Sequence, residues 1–251
     1  MPPINTIDDV INTLQQIVDD SIKNESTLGY FAALYLNVTI KVKEGIENNY
    51  FEDGKRMEKL DVIFAKRYIQ AYFNFKENKP TTLAWQKAFG ITNKFWYIVL
   101  QHLLIGMNAH INLDLGIASA EVMKGKDIEN LKNDFNKINS ILSSLVHEVE
   151  EDLSEIWPFL KTILKFTSKI DSFLINFSMK LARDGAWKFA TKLASTPQND
   201  IDKVIDERDI DVAEKASIIT RPGIIIQLIF MFIRIGERGS IADKIRDLSE
   251  K

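Results

Sequence analysis

The chain has 251 residues, of which 45% are apolar and 27% charged, a composition typical of a globular protein and not of a disordered or fibrous one. Its formal net charge of -3 argues against general attraction to nucleic acid, so no nucleic-acid partner is expected. The absence of cysteine excludes disulfides, thiolate metal sites and a cysteine nucleophile. Because no linker rich in proline, glycine or serine divides the sequence, we expect residues 1–251 to form one domain.

The N-terminal segment MPPINTIDDV contains neither a basic region nor an apolar stretch, so no secretory signal is predicted and a cytoplasmic protein is expected. The most apolar stretch, Gly223 to Ile233, is shorter than the roughly 20 residues of a membrane-spanning helix. No transmembrane span is therefore expected. We interpret this stretch as a core helix because almost every position is apolar, with peripheral contact to a membrane surface as the alternative.

Apolar residues recur at helical spacing through the first half of the chain. We predict one helix capped by Thr6, one beginning near Ser26 or Thr27, one from Gly54 to Phe75 capped by Asp53, one from Leu83 to Phe89, and one from Thr92 or Asn93 to about Val122. The last of these contains the longest stretch without a charged face. It is therefore expected to be the central helix.

The second half continues this pattern. From Ile128 to Val149 the apolar residues alternate steps of three and four, which predicts a helix-packing seam. Further helices are predicted from Pro158, from about Ser168 to before Pro197, from Pro222 to Ile235, and from Ser240. The acidic segment from Gln198 to Glu214 is expected at the surface. About eight helices with short connections indicate an all-α fold, an irregular single-domain bundle.

An acidic residue interrupts the apolar stripe of the third predicted helix. Asp61 falls between Met57 and Phe64 on the face that the apolar residues share, with Glu58 and Arg67 at its margins. A carboxylate facing a core costs several kcal/mol unless it is paired, hydrogen-bonded, metal-bound or protonated. The sequence therefore predicts a partner for Asp61. A structural ion pair, for example with Arg67, is the alternative to a functional role.

A second group of polar residues lies in the central helix, within the run from His102 to Leu115. At helical spacing these residues form two rows that look in nearly opposite directions, Asn108 with Asn112 and His110 with Asp114. The same alternation is also typical of a half-buried strand, but the flanking residues favour a helix. Asp114 can orient His110 for proton transfer, or the two can share a metal ion. A satisfied core histidine is the structural alternative.

The metal-site candidates are His110, Asp114 and Asp61. With three histidines in the chain, any such site must be rich in carboxylates, which suits magnesium, manganese or iron. A divalent metal is thus an open alternative, and the cofactor is undetermined. Further along the chain, Arg183 and Trp187 stand four residues apart and can stack to present a planar cation to a ligand, or simply pack on a helix surface.

Two segments carry a family resemblance, FEDGKRMEKLDVIFAKRY at residues 51–68 and GMNAHINLDL at residues 106–115. Together with Arg183, Ala186-Trp187 and Arg221-Pro222-Gly223, they resemble a mostly bacterial, all-helical family of unassigned function, marked by the second segment. The resemblance implies an all-helical protein of about this length. It implies no biochemical role.

Three functional hypotheses follow. The preferred one is a small-molecule enzyme that performs acid-base chemistry, with or without a metal, on a largely apolar substrate. Its catalytic residues are His110, Asp114 and Asp61, and its ligand-binding residues are Glu58, Arg67, His102, Asn108, Asn112, Arg183 and Trp187. This hypothesis requires a ligand-sized cavity that reaches His110.

The second hypothesis is a non-catalytic protein that binds a lipid or another small apolar molecule. It predicts a larger apolar cavity under the helix from Gly223 to Ile233. In the third, the buried polar groups are structural, and the functional surface lies elsewhere, for example on the acidic segment from Asp200 to Glu214. That hypothesis predicts that Asp61, His110 and Asp114 are sealed from solvent and satisfy one another.

Overall fold

The computed structural model describes residues 2–138, 141 and 179–249. This part of the chain contains ten α-helices and no strand: α1 (Ile7–Lys23), α2 (Gly29–Glu47), α3 (Gly54–Lys76), α4 (Leu83–Phe89), α5 (Val99–Ala109), α6 (Leu115–Val122), α7 (Met179–Ser195), α8 (Ile201–Thr220), α9 (Ile224–Gly236) and α10 (Ile241–Ser249). The all-α prediction is confirmed, with slightly more helices than expected. The helix predicted from Pro158, the predicted start near Ser168 and most of the seam that ends at Val149 lie outside the described residues.

Local capping explains where the first helices begin. The hydroxyl of Thr6 accepts the backbone N–H of Asp9, whose carboxylate accepts the N–H of Thr6, so the predicted cap is a complete capping box. Asp53 accepts the N–H of Arg56 and starts α3 at Gly54, as expected. The bounds of α4 are also those that the sequence predicts. These starts are set by neighbouring residues and are therefore visible in the sequence.

The central helix differs from its prediction. It begins at Val99 and not at Thr92 or Asn93, since Asn93 adopts a positive φ of 63° and Ile98 is extended. The N–H of Val99 is accepted by the carboxylate of Glu237, which also binds Arg234 and Lys244. The start of α5 thus depends on a residue almost 140 positions away. The strand alternative for the run from His102 is wrong, because that run is helical throughout.

The central rod consists of α5, a π-helical turn at His110–Asp114, and α6. Helices α2 and α4 pack against α5, α3 packs against α6 and the π turn, α7 packs on α6, and α8 packs along α5. Helix α10 closes one end by packing on α1 and α2. Almost every residue of the rod is buried as a result, which explains its lack of a charged face.

The segment from Gln198 to Glu214 is not simply a surface element. Asp209 is buried and its carboxylate accepts the N–H groups of Leu83 and Ala84 at 2.6 and 2.8 Å, which caps α4. Arg208 donates from Nε to the carbonyl oxygen of Asn112 at 2.9 Å. The expectation of a surface segment is therefore wrong for the inward face of α8. Its acidic outer positions are exposed.

The interpretation of the apolar stretch after Gly223 as a core helix is correct for one face only. Phe230 and Ile233 are buried, whereas several other apolar side chains of α9 are exposed. Among the described residues, none of the individual helices has the length and apolar content needed to cross a bilayer. Taken together, Gln198–Thr220 and Ile224–Gly236 meet that criterion, but they are bent by 67° relative to each other.

Candidate functional site

The candidate site is built around the π-helical turn His110–Asp114. There the N–H of Leu115 donates to the carbonyl oxygen of His110, five residues back, in place of the α-helical bond to the residue four back. Arg208 satisfies the carbonyl oxygen of Asn112 from α8. Single π turns within α-helices occur frequently at functional sites. This turn sets the relative orientation of His110 and Asp114.

The carboxylate of Asp114 accepts three side-chain donors from different elements. Nε of Arg67 on α3 lies 2.7 Å from Oδ1, and the indole Nε1 of Trp85 on α4 lies 2.8 Å from Oδ2. Nδ1 of His110 lies 3.3 Å from the same Oδ2. Burial would raise the pKa of Asp114, but Arg67 and these hydrogen bonds hold it below the usual value. Asp114 is therefore a buried anion at neutral pH.

His110 is held at one ring nitrogen and unpaired at the other. Because ionised Asp114 only accepts hydrogen bonds, Nδ1 of His110 donates to it, which leaves the Nε2 lone pair as an acceptor. Nε2 is buried and has no hydrogen-bond partner. Burial lowers the pKa of His110, although Asp114 opposes the shift. The structure thus shows a neutral imidazole with a free basic nitrogen inside the protein.

Five aromatic rings surround the imidazole of His110, and we call them the aromatic cage. Phe64 stacks on it with a centroid distance of 3.6 Å, and the other members approach by an edge or at a tilt: Tyr35 at 4.5 Å, Phe31 at 5.8 Å, Trp85 at 6.0 Å and Tyr68 at 6.1 Å. The hydroxyl group of Tyr68 is buried without a hydrogen-bond partner. The cage leaves His110 3% exposed.

Asp61 lies on the same face of α3 as Phe64 and Tyr68, and one of its oxygens, Oδ2, is buried without a partner. Burial, together with the nearby charge of Glu58, raises the pKa of Asp61 to about 7. The ion pair with Arg67, which the sequence left open as the structural alternative for Asp61, does not form, because Arg67 binds Asp114. Glu58, on α3, accepts the N–H of Ile7 at the N-terminus of α1 at 3.5 Å.

The charges of Asp61 and Asp114 both act on Tyr35. Burial raises the pKa of Tyr35 well above its ordinary value, and the charges of Asp61 and Asp114 raise it further. Tyr35 therefore lies within electrostatic reach of both. The structure places Asp61 and Asp114 near the same tyrosine but does not bring Asp61 and the His110–Asp114 pair to a shared atom.

A small cavity lies next to the cage. Its walls include Phe31, Tyr68 and Trp85 of the cage, together with Gly106 and His102. Burial and the charge of Arg234 lower the pKa of His102 to about 3, so this histidine is neutral. The volume open to a water-sized sphere is about 20 Å³, about enough for one water molecule. This cavity is not the ligand-sized space that the sequence analysis expects.

The remaining predicted residues lie in two other places. Asn108 donates to the carbonyl oxygen of Val212 on α8, and Asn112 donates to the side chain of Asn108. As the helical spacing predicts, these asparagines face away from His110. On α7, Arg183 lies over the ring of Phe135 and donates to its carbonyl oxygen, and the ring of Trp187 also packs against Phe135. Neither α7 residue lines the cage.

The described part of the chain holds no group of three or more histidine, cysteine, aspartate or glutamate side chains suited to a metal ion. His110 and Asp114 bind each other, and Asp114 is already engaged by Arg67 and Trp85. Asp61 does not join them. The three metal candidates therefore do not converge on one point.

Sequence analysis missed the cage and the indole donor. A signal for part of the cage is present, since Phe31 and Tyr35 on α2 stand four residues apart, as do Phe64 and Tyr68 on α3. No local pattern points to Trp85, whose indole on α4 reaches Asp114, 29 residues further along the chain. Arg208 stands among acidic residues in the sequence, so its contact with the central helix was not expected.

Comparison with protein families gives one match, a family of unknown function, DUF5995, over residues 7–222. The chain belongs to this family. The region common to DUF5995 includes α1 to α8 and hence the cage and the π turn, and it ends before α9 begins. Comparisons with curated proteins and with solved structures gave no significant match.

Proposed function

We propose that this DUF5995 protein is an enzyme in which His110 moves a proton to or from a small, largely apolar substrate. The observation that carries the proposal is the buried, unpartnered Nε2 of a histidine whose Nδ1 is held by a carboxylate. A general base needs a free lone pair in a fixed direction, and a carboxylate behind the ring supplies the tautomer and the orientation. His110 is the proposed catalytic residue, and Asp114 is a positioning residue.

The surroundings support proton transfer over a structural role for His110. A structural histidine in a core normally has both ring nitrogens satisfied, because an unpaired buried polar atom costs about 1–3 kcal/mol. Here Nε2 of His110 and the hydroxyl of Tyr68, a member of the cage, are both unsatisfied. A polar part of a substrate would supply the partner that these two groups lack.

Asp61 supplies a second proton-exchanging group in this proposal. With a pKa of about 7 it exists in both the protonated and the ionised form at neutral pH, which suits a general acid. Tyr35 lies within electrostatic reach of both Asp61 and Asp114, and in this proposal its hydroxyl binds a polar atom of the substrate. The aromatic cage accounts for the apolar character of the proposed substrate.

Substrate access in this proposal depends on Phe31. Its ring lies between His110 and the cavity, and it packs directly on Gly106, where an added Cβ would be 2.5 Å from the ring. Gly106 therefore accommodates the closed position of Phe31. We propose that Phe31 swings away when the substrate enters, which joins the cavity to Nε2.

The proposal is tested by incubating the purified protein with a small-molecule extract and following every compound by mass spectrometry. We expect at least one compound to be converted by the wild type and not by His110→Gln, because glutamine cannot exchange a proton at that position. Asp134→Asn is the matched control, since it breaks a different buried ion pair, with Arg56, and should retain the conversion at temperatures where it is folded.

Two results would overturn the proposal. One is conversion by His110→Gln at the wild-type rate. The other is that the folded wild type converts nothing beyond what heat-denatured protein converts. Circular dichroism of each variant shows whether it is folded, so that a loss of activity is not mistaken for a loss of structure.

A structural role for the buried polar groups is the competing function, and the burial of the site favours it. His110 and Asp114 are 3% and 1% exposed, and Asp114 has all of its donors inside the protein. In that case His110→Gln would change only the free energy of unfolding. The role of the segment GMNAHINLDL at residues 106–115 would then be to pack the π turn. We propose instead that its role is to supply the catalytic histidine.

A further inference from the structure

The outer face of α9 is apolar and exposed. Its exposed apolar residues fall within an arc of about 100° on the helix: Ile224 (82% exposed), Ile225, Leu228, Phe232 (68%) and Ile235 (72%). On the opposite face, Phe230 and Ile233 are buried in the core. A surface helix ordinarily places charged residues on its outer face. This helix has apolar residues on both faces, so its outer face is available to bind a partner outside the described residues.

A second element extends this surface. Phe95 and Trp96, in the connection before α5, are 62% and 51% exposed. Arg234 of α9 lies 4.6 Å from the centre of the Phe95 ring and donates to the carbonyl oxygen of Phe95. The two aromatic residues and the outer face of α9 are therefore held together at one end of the molecule. We call them jointly the apolar end.

The chain segments that form the apolar end carry mainly basic charge. Residues 78–113 and 215–236 contain no aspartate or glutamate, although the whole chain has a formal net charge of -3. Lys94 stands beside Phe95 in the sequence. Arg221 comes three residues before Ile224, and Arg238 comes three residues after Ile235. All three cations are exposed. The carboxylate of Glu237, just beyond α9, is engaged by Arg234 and Lys244. The apolar end thus presents apolar and aromatic groups bordered by cations.

We propose that the apolar end docks on the surface of an anionic lipid bilayer. Apolar side chains that enter the acyl boundary, aromatic residues at the headgroup level and flanking lysine and arginine are the features that a peripheral membrane surface combines. Complementary charge favours a bilayer over a second copy of this chain, because two such ends would bring like charges together. The proposal is independent of the chemistry at His110.

The test is flotation of the full chain with vesicles of phosphatidylcholine alone or with about one third phosphatidylserine. We expect binding to the anionic vesicles, and a loss of at least about tenfold in partitioning for Phe232→Ser with Ile235→Ser, because each buried large side chain contributes about that factor. Leu181→Ser with Ile210→Ser is the matched control. Both residues are exposed and apolar but lie on α7 and α8, so binding should be unchanged.

Charge and aromatic insertion give two further measurements. Arg221→Gln with Arg238→Gln should weaken binding to the anionic vesicles by about fivefold for each cation removed, with no effect on neutral vesicles. The tryptophan emission should shift to shorter wavelength when anionic vesicles are added, and Trp96→Phe should abolish that shift.

Absence of wild-type binding to anionic vesicles would overturn the proposal, as would equal losses in the two serine pairs. A wild-type dimer in analytical ultracentrifugation that Phe232→Ser with Ile235→Ser dissociates would assign the apolar end to a second copy of the chain. In a vesicle-free monomer, failure of Phe232→Cys to react with a soluble thiol reagent would assign the apolar end to the chain's own residues. Either assignment would also replace the membrane proposal.

Discussion

Asp61 and Asp114 are both buried carboxylates near Tyr35, but their pKa values are shifted in opposite directions. Asp114 accepts Arg67, Trp85 and His110, and its pKa is lowered. Asp61 has one oxygen without any partner, and its pKa is raised to about 7. Burial acts on both in the same direction, so the difference comes from the donors around Asp114 and from the charge of Glu58 near Asp61.

This difference indicates what each carboxylate contributes. A buried carboxylate that is fully paired is fixed in one charge state, which suits it to hold His110 but not to exchange protons. An unpaired one is costly to the fold but changes its charge near neutral pH. The free energy of unfolding should therefore respond to the two aspartates with opposite signs.

Asp114→Asn should have the largest effect, a loss of about 3–5 kcal/mol in the free energy of unfolding, because it leaves the partly buried Arg67 without its counter-charge and weakens the acceptor of Trp85 and His110. Arg67→Met should cost a similar amount. The double variant should cost less than the sum of the two, since the partners lose the same interaction. Urea unfolding at pH 7 measures all three. Strict additivity would show that the two side chains do not stabilise each other.

Asp61→Asn should have the opposite sign. Because the folded-state pKa of about 7 lies above the ordinary value of 3.8, the folded state binds more protons than the unfolded state between these values, and stability falls as the pH rises through them. The variant should match the wild type near pH 4 and exceed it by about 2–4 kcal/mol above pH 7. Urea unfolding at several pH values tests this.

Asp134→Asn is the control for that series. The pKa of Asp134 is lowered, since hydrogen bonds from Glu52, Asp53 and Arg56 outweigh burial. Its carboxylate therefore contributes stability above pH 4 that is lost as the pH falls, so this variant should be less stable than the wild type at pH 7. If Asp61→Asn and Asp134→Asn changed the free energy of unfolding at pH 7 in the same direction, the proposed difference between paired and unpaired carboxylates would be contradicted.

Trp85→Phe should cost about 1.5–3 kcal/mol, the ordinary range for a hydrogen bond to a charged group. It keeps an aromatic ring in the cage but removes the indole donor to Asp114. The pKa of Asp114 should then rise, and acid unfolding should begin at a higher pH than in the wild type. Trp187→Phe is a suitable control, because Trp187 packs on Phe135 and has no contact with the cage.

The smallest effect is spectroscopic. His110 should titrate below its ordinary pKa of 6.5, with the proton of the neutral ring on Nδ1. Nitrogen NMR of ¹⁵N-histidine distinguishes the tautomers. In Asp114→Asn the pKa of His110 should fall further, because the carboxylate that favours its charged form is gone. A wild-type proton on Nε2 would show that Nδ1 does not donate to Asp114.

The sequence predicts the features that local interactions determine. The capping box at Thr6, the start of α3 at Asp53 and the bounds of α4 are set within a few residues and were all predictable. The two polar rows of the central helix were also correct, because their directions follow from helical spacing. The burial of Asp61 follows from its position in an apolar stripe.

Features that depend on contacts between distant residues were not predictable. Arg67 is six residues from Asp61, but it binds Asp114, which is 47 positions away. Trp85 and Asp209 have no local pattern that reveals their partners. The exposure of α9 was missed because a run of apolar residues does not show how many of its faces the core covers.

The hydrogen bond from the N–H of Val99 to Glu237 has a consequence for the boundaries of the family. Residue 237 lies beyond the matched range of 7–222, yet its carboxylate holds the first turn of the helix that leads to His110. A chain shortened to residue 222 would lose this carboxylate together with Arg234 and Lys244. The range that matches the family and the range that holds the start of α5 therefore differ in length, and a truncation at residue 222 would remove the acceptor of the Val99 N–H at the first turn of α5.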